Sequence, residues 1–343
     1  MVAMTARSLV CGLAAGALLV APGGIALAQS AAPKAAPALV GTTVLGAEAP
    51  FVDALVAGKP VRLRLDFAAH APIILTPAAA GRLGLASDVR PATDGKKAEK
   101  PSRGVIVSRV GRQTVRVPYS REQVEIGGVA RAIQVATPEG YAVTGKDGAG
   151  RDGAGADGSI LPSALPVAVV RLQQRPPGPG DVETTWQVLD DGAFDGLEFR
   201  AMAGPNTIRV GLAPSRPQTV GTASTAGALA ELNGGRLTGP VSPVMVVYGV
   251  SRPARLLQLD KPWTGAGVPV TGLMMRLHDW EGKDPVPMDG DLDAQVIQVN
   301  ARRNAQRGIR LMKLGADALG RCAGFEWRRA GNLLVLQCPA VQP

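Results

Sequence analysis

The sequence predicts a mainly β protein built as two similar lobes with a few short helices. Three observations predict it. Of 343 residues, 43 are Gly and 28 are Pro, a density of chain breakers that suits short strands joined by turns better than long helices. Apolar residues alternate with polar ones in short runs, as in Val61-Arg62-Leu63-Arg64-Leu65. The order of elements after a Pro/Gly-rich segment near residue 176 partly repeats the order before it.

The first 28 residues read as a cleavable secretory signal peptide. Arg7 supplies the positive start, Leu9 to Val20 the apolar core, and Ala26-Leu27-Ala28 a small-residue cleavage site. The core is too short to span a bilayer, and no later stretch approaches the ~20 apolar residues a spanning helix needs. The expected location is therefore periplasmic or secreted. Residues 29–47, rich in Ala and Pro, read as a disordered tether.

A first lobe is expected over 48–174. Strands are read at Val61 to Leu65, Ile73 to Leu75, Val105 to Val110, Gln113 to Val117, Gln123 to Ile126 and Ala132 to Ala136. Thr76-Pro77 reads as an N-cap followed by Pro at the first helical position, with a short helix ending at Gly84. Gly127-Gly128 supplies a tight turn. After a low-complexity stretch come Ser159-Ile160-Leu161, a helical turn from Pro162 to Leu165, and a strand from Val167 to Leu172. Residues 175–205, opening on Arg175-Pro176-Pro177-Gly178-Pro179-Gly180, read as a linker and inter-lobe segment.

A second lobe is expected over 206–339. Thr207 to Leu212 parallels Val61 to Leu65, Ser224 to Leu232 reads as the matching short helix, and strands follow at Val244 to Tyr248, Arg255 to Leu259 and Leu273 to His278. Ile309 to Leu314 and the helical turn at Gly315 to Leu319 echo Ile160 to Leu165. Phe325 to Arg328 and Leu333 to Leu336 form a hairpin about Arg329-Ala330-Gly331-Asn332, which brings Cys322 and Cys338 together. In an oxidising compartment that pair is read as a disulfide.

Lys and Arg outnumber Asp and Glu by 37 to 28, a net charge of +9. The basic residues are spread out. The densest run (Arg302, Arg303, Arg307, Arg310, Lys313) has no interleaved aromatic and reads as a solvated face, so no nucleic-acid partner is expected. Gly148, Gly150 and Gly153 match a dinucleotide fingerprint without its βαβ context. Two distant histidines, His70 and His278, make no zinc site, and there is no G-x-S-x-G nucleophile elbow. No cofactor and no metal are expected.

Leu63-Arg64-Leu65-Asp66-Phe67-Ala68-Ala69, then Ile74-Leu75-Thr76-Pro77 and Ala80-Gly81-Arg82-Leu83-Gly84-Leu85, resembles the active-site segment of retropepsin-like aspartic proteases, which reads strand, Asp-Thr-Gly-Ala, strand, Ser/Thr-Pro, helix, Leu-Gly-Leu. Asp157 to Leu165 and Leu314 to Leu319 are similar to that family's later apolar segment with its short helix. The resemblance implies two retropepsin- or pepsin-like β-barrel lobes and a peptide or protein segment as partner. It also implies Asp66 as the catalytic candidate.

The motif departs from the family where the chemistry lies. Phe67 stands for the threonine, Ala68 for the glycine, and Pro162 for the glycine after the later apolar pair. The matching place in the second lobe, Leu212-Ala213-Pro214-Ser215, has no carboxylate. One aspartate cannot serve as both acid and base of the dyad. The expectation is a non-catalytic relative that binds a peptide between its lobes. Two alternatives stay open: an active endopeptidase that pairs Asp66 with a second carboxylate from elsewhere, and an envelope-associated β scaffold. Asp66 also has an ordinary reading as a turn residue at a strand end, and His70, four residues on, is a candidate neighbour for it.

Overall fold

In the computed structural model the described residues are 41–47, 50–85, 103–110, 113–143, 155–190, 196–277 and 310–340. The signal peptide, the first part of the tether, Gly148, Gly150 and Gly153, His278, and Arg302, Arg303 and Arg307 lie outside them. All described residues belong to one compact unit spanning Leu39–Pro343.

The protein is mainly β, with two barrel-like lobes and a few short helices, as the sequence predicts. Lobe 1 runs through β2 (Phe51–Val56), β3 (Lys59–Leu65), β4 (Ile73–Leu75), α1 (Pro77–Leu83), β5 (Arg103–Val110), β6 (Gln113–Ile126), β7 (Val129–Ala136), β8 (Gly158–Ile160) and a 3-10 turn at Pro162–Ala164. Its strand order is β2-β3-β8-β4-β7-β6-β5, and β2 also pairs with β6, closing six strands into a barrel. Lobe 2 runs through β11 (Glu198–Ala203), β12 (Asn206–Leu212), β13 (Val220–Gly221), α2 (Ala223–Asn233), β14 (Arg236–Val247), β15 (Val250–Trp263), β16 (Val270–Arg276), β17 (Leu311–Leu314) and α3 (Ala316–Leu319). Its order, β11-β12-β17-β13-β16-β15-β14, repeats lobe 1 strand for strand. The sense of pairing repeats as well: β3 with β8 and β12 with β17 are parallel, and β4 with β8 and β13 with β17 are antiparallel. The internal repeat is thus a repeat of topology.

Local signals explain the joints. Thr76 accepts from the amide of Ala79, Pro77 follows it, and Gly84 ends α1 at φ 76°. In lobe 2 Thr222 accepts from the amide of Thr225 to start α2. Along β3, Val61, Leu63 and Leu65 face the core as their alternation predicts.

A third sheet, β1 (Thr42–Gly46), β9 (Val169–Gln173), β18 (Gly324–Arg328), β19 (Leu333–Pro339) and β10 (Asp181–Gln187), joins the halves. It corrects two expectations. The tether ends before Thr42, because the β-branched run Thr42-Thr43-Val44 pairs in parallel with β9. Residues 175–205 are more than a linker, since Val182 to Trp186 pair with β19 and Glu198–Ala203 opens lobe 2. The turn at 176–180 masked a strand directly behind it.

One apolar core runs through both barrels and the joining sheet. Few aromatics are available, and several of the buried ones sit where the joining sheet meets the lobes. Phe67, Phe199 and Phe325 are among the largest fully buried side chains, Phe67 meets Phe325 edge-on at 6.4 Å, and Trp186 stacks on Phe199 at 4.6 Å. Arg329, in the β18–β19 turn, donates to the carbonyls of Ser163, Leu165 and Val167 and so ties the joining sheet to lobe 1. Cys322 and Cys338 form the expected disulfide across this hairpin. Among the described residues, no helix is long and apolar enough to cross a membrane.

Candidate functional site

The site starts where β3 ends. The Asp66 amide donates to the Ile160 carbonyl at 2.9 Å, continuing the β3–β8 pairing by one residue. Its Oδ1 accepts from the Ala68 amide at 2.8 Å, and the Ala69 amide reaches the Asp66 carbonyl, closing a turn. The pair Phe67–Phe325 anchors this turn from below, and the Leu197 amide donates to the Phe67 carbonyl at 3.1 Å. The Phe67 ring therefore holds the loop by packing.

Lobe 2 builds the same turn from different residues. The Ala213 amide donates to the Leu314 carbonyl at 2.8 Å, and the Arg216 amide to the Ala213 carbonyl at 2.9 Å. By these bonds Ala213 matches Asp66 and Arg216 matches Ala69. Arg216 turns its guanidinium inward, donating to the carbonyls of Met245 at 2.5 Å and Val246 at 3.2 Å. The two turns thus meet as a carboxylate and a guanidinium.

Burial sets the electrostatics. Desolvation pushes the Asp66 carboxyl above its ordinary value of 3.8, against the Ala68 amide and the cations Arg216, Lys313 and Arg64. Desolvation also pulls Arg216 below its ordinary value, while the Asp66 charge opposes that shift. The Tyr141 phenol, which donates to Ser159 Oγ at 2.8 Å, is pushed up by burial and then by Asp66. Among the described residues, the charged groups acting on Asp66 are the cations Arg216, Lys313 and Arg64.

The space between the turns is a cavity of about 40 Å³, bordered by Asp66, Tyr141, Ser215, Arg216 and the segment Met245 to Tyr248. It is roofed by the tip of the β14–β15 hairpin. Val247 and Tyr248 pack into a cluster of lobe 1 side chains that includes Ala69, Ile74, Val117 and Leu161. Tyr248 Oη donates to the His70 carbonyl at 2.6 Å, and the two rings lie 5.9 Å apart. A larger open depression of about 410 Å³ on lobe 1, bordered by Asp53, Pro60, Arg62, Glu125 and Asp157, shares no residue with this cavity. Among the described residues no cluster of His, Cys, Asp and Glu could hold a metal ion.

Asp66 therefore borders a cavity that residues of both lobes line. His70 borders the same cavity, with its carbonyl and ring engaged by Tyr248. The sequence reading missed Arg216, Tyr141 and Tyr248. Arg216 was legible in principle: aligning Ala213 on Asp66 places it opposite Ala69. No protein-family model matches the chain, and no curated protein matches it.

Proposed function

We propose that this chain is an exported, catalytically silent relative of the retropepsin-like aspartic proteases that binds a peptide or protein segment between its lobes. The observation that carries the reading is the replacement of the second carboxylate. A dyad works because two carboxyls share one proton and activate a water between them. Here lobe 2 offers Ala213 at the matching position and Arg216 beside it. A guanidinium holds its proton at any working pH and cannot serve as the base. Among the described residues bordering the cavity, Asp66 is the only carboxylate, which supports the silent reading over the two-carboxylate endopeptidase. Export is supported by the signal-like first residues and by the disulfide, a bond that persists in oxidising compartments.

The test of silence is digestion of an unfolded protein substrate at acid pH by the mature chain and by its Asp66→Asn variant. Neither is expected to cut; cleavage abolished by Asp66→Asn would restore the enzyme reading. Binding is tested with a displayed random-peptide library, which should yield ligands whose binding is lost on Arg216→Glu.

The scaffold reading is favoured by one observation. A cavity of about 40 Å³ holds a few waters and no side chain of a peptide. A library that yields no such ligand would favour it.

A further inference from the structure

The peptide-binding reading needs room that the cleft has only if the β14–β15 tip leaves it. The tip is built as a guest of lobe 1 rather than as part of the lobe 2 sheet. Among the described residues β14 is an edge strand paired with β15 alone, interrupted by Pro240 and Pro243, and its register slips between Met245 and Val247. Most of β14 is exposed or half-exposed, and burial is complete only at Val247 and the adjoining Tyr248, which are 5% exposed. Those two side chains are buried largely against lobe 1.

The seat is specific. Apolar side chains of lobe 1 receive Val247, the His70 carbonyl receives the Tyr248 hydroxyl, and Arg252 on β15 donates to the Val110 carbonyl at 2.8 Å. Tyr248 takes φ 48° and Gly249 φ 81° to make the turn. Gly249 lies so close to Gly140 that a Cβ there would stand 1.9 Å from the Gly140 carbonyl oxygen. When the tip withdraws, Arg216 loses both carbonyl acceptors, and a buried guanidinium needs replacements. An incoming hairpin-like segment offers neighbouring carbonyls of the same kind.

We infer that the tip Val246–Gly249 is a displaceable internal occupant of a docking site. The site accepts an apolar, turn-forming segment bearing a tyrosine from another protein, with that segment's carbonyls taking the place of those of Met245 and Val246 on Arg216. The inference rests on the binding reading above and names its ligand class.

The test uses a labelled synthetic peptide with the sequence of residues 244–252. Gly249→Ala cannot seat the tip and should bind the peptide at least ten-fold more tightly than the unmodified chain. Tyr248→Ala should act in the same direction. On the unmodified chain, excess peptide should speed amide exchange across 245–252. Equal affinity for the folded variants and the unmodified chain, or no change in exchange, would overturn the inference. Library ligands that bind without moving the tip would do so while leaving the binding reading intact.

Discussion

Asp66 and Ala213 hold the same position in the two lobes. Each follows the last residue of the strand that pairs in parallel with its lobe's penultimate element. Each donates its amide to the carbonyl one step along, at Ile160 and Leu314. The two turns therefore match in backbone and differ in side chain, a carboxylate in lobe 1 and a methyl group in lobe 2.

Asp66 is expected to cost stability at neutral pH. Burial raises its folded-state value above 3.8, so the folded chain holds that proton more tightly than the unfolded chain. Stability then falls as pH rises from 3.8 through the raised value, and the cost is absent below 3.8. Asp66→Asn keeps an oxygen for the Ala68 amide and removes the charge. Its melting temperature should exceed that of the unmodified chain at pH 7, and the gap should close as pH falls towards 3.8. A gap that widens on acidification would mean that the neighbouring cations dominate over burial.

Arg216 should couple to Asp66. Arg216→Met strips the Met245 and Val246 carbonyls of their donors, a loss of about 1–3 kcal/mol. It also leaves the Asp66 charge without its strongest cationic influence. In the Asp66→Asn background the second penalty disappears, so the same change should cost less. A double-mutant cycle by urea denaturation should give a coupling of about 0.5–3 kcal/mol. Additive effects would mean that the two side chains do not sense each other.

What was legible in the sequence was local or periodic. Thr76-Pro77 with Gly84 encodes a helix by capping alone, and Val61, Leu63 and Leu65 encode a buried strand face by alternation. The repeat was visible as an order of elements because each lobe folds its own sheet in the same strand order. Thr42–Gly46 was missed because its partner β9 lies more than a hundred residues away and the Ala/Pro-rich run before it dominated the composition. Arg216 and Tyr248 were missed for a related reason. Their meaning depends on the opposite lobe, and nothing within either segment records what faces it.

The disulfide should carry a measurable share of stability. Cys322 and Cys338 are both buried and close a loop of sequence separation 16 at the end of the joining sheet. In the chain-entropy model such a loop stabilises by roughly 3 kcal/mol. Cys322→Ser/Cys338→Ser should lower the free energy of unfolding by about that amount in guanidinium titrations. A loss below about 1 kcal/mol would show that the Arg329 bonds and the β18–β19 pairing hold the hairpin without it.

Two kinds of glycine should respond in opposite directions to alanine. Gly158 opens β8, which lies between β3 and β4, and a Cβ there would stand 2.1 Å from the Ile74 carbonyl oxygen. Both contacting groups are backbone within the closed barrel, so relief requires moving a strand. Gly158→Ala should cost more than about 4 kcal/mol, the range reached only when a core or backbone constraint is broken. Gly81 in α1 and Gly227 in α2 have open space where a Cβ would go. There the substitution removes the helical penalty of glycine, and each change should add about 0.5–1 kcal/mol. Urea titrations of the three single variants check both signs; a tolerated Gly158→Ala would mean that β8 does not pack between β3 and β4 at that register.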